Sequence, residues 1–194
     1  MSISRPNLVK AALELATASG AVSNFCDHAE HNEPSEIGDV RIAAATLRET
    51  AVRLSRLAGR DPVALYADRL AAIEERNVLH FDGALDGAAE AREAGDWRTL
   101  QLIQAKHDHA YHADVVGLTK SEQLRHYALH VAKLAGATAE VANGELSRTD
   151  WLQRRVADML LFGLKLSTVT SERLPEVAVA SELAEVPSAR RAAA

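Results

Sequence analysis

An all-α bundle of about six to seven helices is the fold class predicted here, and three features of the sequence predict it. The 10 glycines and 5 prolines stand between apolar stretches, as expected of punctuation between helices rather than between closely spaced strands. Apolar residues recur at spacings of three and four, the mark of one helical face. Helix-start signals also precede several of these stretches.

Taken in order, the first helix is expected over about residues 6–20. The polar turn HNEPSEIGD then leads into a second over 36–58, where Val40, Ala44, Leu47, Ala51, Leu54 and Ala58 form one stripe. Asp61 followed by Pro62 reads as an N-cap and the residue best suited to the first helical position, so a third helix should run to Asn77. A short helix over 83–94 stops at Gly95, and Asp96 caps the next, which starts at Trp97. Thr119 and Glu122 have the spacing of a capping box that opens a helix closed by Asn143 and Gly144. Ser147 or Thr149 caps the last helix, which reaches Thr170, and Ser147 with Asp150 offers a looser box. One domain over 1–170 is therefore predicted, followed by a mostly mobile tail over 171–194 that has two prolines and no aromatic residue.

The balance of 22 basic and 27 acidic residues, a formal charge of -5, argues against a dedicated nucleic-acid binder, whose cations would outnumber its acids. The single cysteine, Cys26, excludes an internal disulfide. With no leader and no long apolar run, a soluble, cytoplasmic protein without a membrane partner is expected. Cys26, His28 and His31 fall near a polar turn but lack the second cysteine pair of a zinc site.

The polar chemistry concentrates in HDHAYHADV, residues 107–115, and in the helix that follows. At 100° per residue, His107 and Asp114 share the apolar sector of their helix, Asp108 and His112 lie four apart on a neighbouring strip, and His109 points elsewhere. After Thr119, His126, His130, Lys133 and Ala137 form a strip separate from the apolar stripe. Leu129, Ala132 and Gly136 occupy much of the remaining circumference, so this helix is expected to be buried all round. Imidazoles on adjacent turns can ligate one metal or divide acid–base duties. The candidate metal ligands are His107, Asp108, His112, Asp114, His126 and His130, and the candidate catalytic residues are His126, His130, Lys133 and Asp158. Lys133 has a structural alternative as a partner of Glu140, and Arg154 with Asp158, four apart, has one as a local pair.

Residues 126–169, HYALHVAKLAGATAEVANGELSRTDWLQRRVADMLLFGLKLSTV, resemble the central helix pair of MazG-type nucleotide pyrophosphohydrolases. The likeness rests on KLAG, AEVANGE and VADMLLFGLKL. It implies an antiparallel all-α core, a dimer or tetramer, and cleavage of nucleoside triphosphates between the first and second phosphates. The family holds magnesium with E-E-x-x-E on one helix and E-x-x-D on the next. Anchored on Gly136, those positions fall on Lys133, Leu134, Ala137, Arg155 and Asp158, and only Asp158 is acidic. Magnesium is therefore not expected. Two alternatives stand: a softer divalent transition metal on imidazole, or direct contact of Lys133, Arg154 and Arg155 with a phosphate or carboxylate.

Two functional classes follow. One is a helical enzyme or ligand-binding protein whose histidine-rich pocket takes a small nucleotide-like or phosphorylated molecule. The other is a non-catalytic homodimer whose histidines are structural.

Overall fold

The structure is a computed structural model that describes residues 3–77 and 86–179. Its helices are α1 (Arg5–Glu30), α2 (Ile37–Leu57), α3 (Pro62–Asn77), α4 (Gly87–Glu93), α5 (Trp97–Tyr111), α6 (Ala113–Val116), α7 (Lys120–Asn143), α8 (Arg148–Asp150) and α9 (Ala157–Val169). A π-helical segment, Trp151–Val156, joins α8 to α9. The all-α class holds, and the expected six to seven helices correspond to the longer elements, α6 and α8 being single turns. No helix of the described residues is long and apolar enough to cross a membrane.

Four long helices, α1, α2, α7 and α9, form an antiparallel square in which each packs on two others. Side-chain contacts tie several of these neighbours together, and Arg41 near the start of α2 donates to Thr170 O past the end of α9. Arg125 of α7 meets Glu30 at the far end of α1, and Arg53 of α2 meets Glu14 of α1. Arg48 of α2 reaches Ser167 and Glu172 beside α9. The α2–α9 seam closes on Gly163, where a methyl group would stand 2.6 Å from Arg48 Cγ and 3.0 Å from the carbonyl oxygen of Ala44. Helices α3 and α5 cover the remaining flanks of α9, and α4 packs on α3 and α5.

The capping box at Thr119 is present, with the two residues satisfying each other's backbone donors, and α7 ends at Gly144, whose φ of 85° suits glycine. Asp86 and Asp96 cap α4 and α5 through the backbone N–H of Ala89 and Thr99. Ser147 precedes α8 without a side-chain cap, so the looser box is not formed. The expected start of the fourth helix at 83–85 lies outside the described residues.

Several expectations change. The first helix continues ten residues past its expected end, to Glu30, and places Cys26 and His28 on helix rather than in a turn. The helix buried all round is α9, whose residues from Ala157 to Ser167 are all buried, not α7. On α7, Ala132 and Gly136 are exposed and Leu129 is 65% exposed, because α1, α9 and the π segment cover only part of its circumference. The domain also extends past 170. Residues 171–179 lie along the start of α5, with Trp97 N–H donating to Val177 O at 3.2 Å and Val179 N–H to Gly95 O at 3.1 Å. The side chain of Gln101 donates to Glu172 O and accepts from Leu174 N–H, and Leu174 and Val179 are buried. Several carbonyls and amides of this short non-helical strap are thereby satisfied.

A cationic cleft lined by three histidines

Helix α7 presents His126, His130 and Lys133 on successive turns, as the helical spacing predicts. Facing them across a cleft of about 460 Å³ are Asp158, Phe162 and Lys165 of α9, Arg155 of the π segment, and Arg69 and Arg76 of α3. His112 also lines it. The π segment is a local change of helical register, and it is here, beside the cleft, that Arg155 enters the wall.

The imidazoles are tightly placed. The rings of His126 and His130 are 4.8 Å apart, and His130 stacks on Phe162 at 4.4 Å. Burial pushes the His130 pKa down to about 4, helped by the neighbouring charges of His126, Lys133 and Lys165. His126 and His112 shift the same way, through burial first and then Lys165. All three are neutral at pH 7, so each offers one N–H donor and one basic nitrogen.

Asp158 and Lys165 anchor the floor. Asp158 is buried and accepts from Arg69 Nε at 2.6 Å, with Arg155 Nη1 at 3.7 Å. Its partner is thus Arg155 of the π segment and Arg69 of α3, in place of the expected Arg154. Lys165 is also buried, 2.7 Å from Asp108 Oδ1, and its ammonium lies 5.5 Å from the centre of the Phe162 ring and 5.8 Å from that of Tyr127. Behind it a chain of hydrogen bonds runs from Tyr66 Oη to Gln104 and from Gln104 Nε2 to Asp108. Lys133 makes no ion pair among the described residues, so its expected pairing with Glu140 is absent.

The cluster at 107–115 divides. Of its histidines and aspartates only His112 lines the cleft, beside Val115. Asp108 is spent on Lys165 and Gln104 rather than on His112. His107 is fully buried elsewhere, its ring 4.5 Å from Tyr111 and its Nε2 3.6 Å from Glu74, with neither ring nitrogen hydrogen-bonded. Burial pushes its pKa down to about 4. Asp114 is exposed instead of inward, because α5 stops at Tyr111 and His112 leaves the helical conformation with φ -137° and ψ 38°. The projection at 100° per residue fails beyond that break. The six candidate metal ligands are accordingly not assembled, and among the described residues no three His, Cys, Asp or Glu side chains are grouped to hold a metal ion.

Sequence reasoning missed Arg69, Arg76 and Lys165. For Lys165 a signal existed: it is a lone charge in the apolar run LLFGLKL, and a buried ammonium needs a partner. Arg69 and Arg76 lie on an ordinary amphipathic helix, where nothing in their spacing separates them from solvated surface arginines.

No family model, characterised protein or solved structure matches the chain. The magnesium set implied by the resemblance does not fit the residues present. Where acids would hold the ion, Lys133 and Arg155 line a wall with three further cations, and like charges repel.

Proposed function

We propose that the cleft binds a small phosphorylated molecule by direct contact with its cations, and that neutral His126 and His130 hold or move a proton on it. The observation that carries this reading is the lining: Arg69, Arg76, Lys133, Arg155 and Lys165 surround a single carboxylate, Asp158. Asp158 and Asp108 engage Arg69, Arg155 and Lys165, which leaves Lys133 and Arg76 without an acidic partner among the described residues. Low-dielectric walls strengthen the attraction of such groups for an anion. A basic imidazole nitrogen beside a bound phosphate ester supplies the proton acceptor that hydrolysis or isomerisation requires.

The test is calorimetric titration of the full chain with inorganic phosphate, a hexose 6-phosphate, and nucleoside mono- and triphosphates. Binding should weaken with added salt and fall about tenfold, roughly 1.4 kcal/mol, in Lys133→Ala. Heat from none of these compounds would refute the reading. Elemental analysis of untagged protein separates it from the alternative in which His126 and His130 hold a transition metal. Direct contact predicts no stoichiometric metal, and zinc, iron or nickel lost in both His126→Ala and His130→Ala would overturn it.

A homodimer is the second reading, and one observation favours it. Val9, Leu13 and Ile42 are 42%, 65% and 66% exposed along a groove on α1 and α2, helices that take no part in the cleft. Its rim carries Arg5 and Lys10 together with Glu14 and Asp39, so a second copy can match it under two-fold symmetry. Light scattering should show a dimer that Leu13→Lys with Ile42→Lys dissociates. A monomeric wild type would refute it.

A further inference from the structure

We infer that Lys165 is the nucleophile of the cleft and forms an imine with a phosphorylated aldehyde or ketone. The inference rests on the anion-binding reading of the cleft and names its class of substrate, a phosphate for the cations and a carbonyl for the amine. Of the five lysines in the sequence, Lys10, Lys106, Lys120 and Lys133 are exposed, and Lys165 alone is buried. Its Nζ lies against the rings of Phe162 and Tyr127, and the side chain lines the cleft beside Lys133, Arg155 and three imidazoles. Lysines become nucleophilic where water is withdrawn and other cations crowd them, since both conditions disfavour the charged amine.

The placement of Asp108 gives the pair more than a structural use. Lys165 lines both the cleft and a second cavity of about 300 Å³, whereas Asp108 lines only the second, with the exposed His109 and Lys120. Asp108 keeps the resting ammonium paired, and the same contact gives the proton an acceptor 2.7 Å away. A carbonyl arriving through the cleft does not have to displace it.

Asp108 takes one proton from Lys165 Nζ. The freed lone pair forms the C–N bond while an imidazole N–H of His126 or His130 protonates the carbonyl oxygen. That imidazole recovers its proton from the new cationic nitrogen, which leaves a neutral carbinolamine. The C–O bond then breaks, the nitrogen lone pair closes the C=N bond, and water leaves with a second proton passed from solvent through the imidazole. In exchange Asp108 releases its proton to solvent through the second cavity and faces the cationic imine as a carboxylate. Nothing is oxidised or reduced, and the site begins and ends with one cation beside one buried carboxylate. The cationic nitrogen draws electrons from the neighbouring carbon, which a neutral imidazole can then deprotonate.

The experiment incubates the full chain with dihydroxyacetone phosphate and cyanoborohydride, which reduces an imine to a stable amine, and locates the adduct by peptide mass spectrometry. One adduct per chain, on Lys165, is expected. Glycerol 3-phosphate, which has the phosphate and no carbonyl, should bind by calorimetry, leave no adduct and slow the labelling. Asp108→Asn should slow trapping by at least about tenfold without weakening glycerol 3-phosphate, and an unchanged rate would overturn the role of Asp108. Lys165→Arg keeps a cation opposite Asp108 and should abolish the adduct, with circular-dichroism melts as the check on both variants. The mapping on wild type needs neither variant to fold. No adduct, or adducts on Lys133 or spread over the exposed lysines, overturns the inference and leaves the function proposed above intact as long as a phosphate binds. Heat from no phosphate at all overturns both.

Discussion

Replacing Asp108 with alanine should destabilise the protein by about 3–5 kcal/mol and, at the same time, improve its grip on an anion. The magnitude follows from burial. The Asp108 and Lys165 side chains are 8% and 5% exposed and 2.7 Å apart. Removing the carboxylate strands a largely buried ammonium, at a cost of about 3–5 kcal/mol for a broken buried pair. Part of that loss, roughly 1 kcal/mol, is the acceptor taken from Gln104 Nε2. Lys165→Met strands the carboxylate instead, with Gln104 as its remaining donor, and should cost a similar amount. In the double variant no charge is left unpaired. Its loss should therefore be no greater than that of either single change, a coupling of about 3 kcal/mol.

Urea denaturation at pH 7 measures all four proteins, with a common slope as the check that the denatured states are comparable. Additive losses would refute the reasoning, since they would mean that each group is solvated independently. Ligand titration then separates structure from function. Asp108→Ala frees the Lys165 ammonium for phosphate and should tighten binding, whereas Lys165→Met should weaken it. If both weaken binding, Lys165 does not touch the ligand.

Three other outcomes follow from the same geometry. His107 and His130 have pKa values pushed down to about 4 in the folded chain, so between about pH 6.5 and pH 4 the unfolded chain binds more protons and stability falls as pH falls. His107, fully buried, contributes the larger share, up to roughly 3 kcal/mol; His107→Phe should flatten this limb of the urea-midpoint profile, and an unchanged limb would refute the assignment. Gly163→Ala should cost about 1–3 kcal/mol by thermal or urea melts, because its methyl would overlap Arg48 and the Ala44 carbonyl; a neutral result would mean that α2 and α9 can move apart freely. A dianion in the cleft offsets the charges of Lys133 and Lys165 that help keep His130 neutral, so binding should take up protons and affinity should rise from pH 8 to pH 6; equal heats in buffers of different ionisation enthalpy would contradict this.

Local signals in the sequence were reliable where the physics is local. The capping box at Thr119, the stop at Gly144 and the stripe of α2 depend on residues within a turn or two of one another, and they appear in place. The strip of His126, His130 and Lys133 survives for the same reason. What failed was long-range. Nothing near α7 shows that α1 and α9 leave Leu129 in solvent, and nothing near His112 shows that α5 ends before it. The strap at 171–179 was illegible because its order comes from Gln101 and from the backbone of α5, about 70 residues earlier.

The cleft gathers its cations on three elements, α3, α7 and the π segment with α9. Arg69, Arg76, Lys133, Arg155 and Lys165 would, by themselves, make an open patch of repelling cations. Two buried carboxylates prevent this. Asp158 ties the π segment to α3 through Arg155 and Arg69, and Asp108 holds Lys165 against two aromatic rings, so the cations are fixed before any anion arrives. Side-chain entropy is then lost on folding rather than on binding, which favours affinity for a small rigid ligand. Burial, helped by the fixed charge of Lys165, holds down the pKa values of the histidines. Imidazoles that would be half-protonated near neutrality in water are instead kept as free bases beside the place where a phosphate ester would bind.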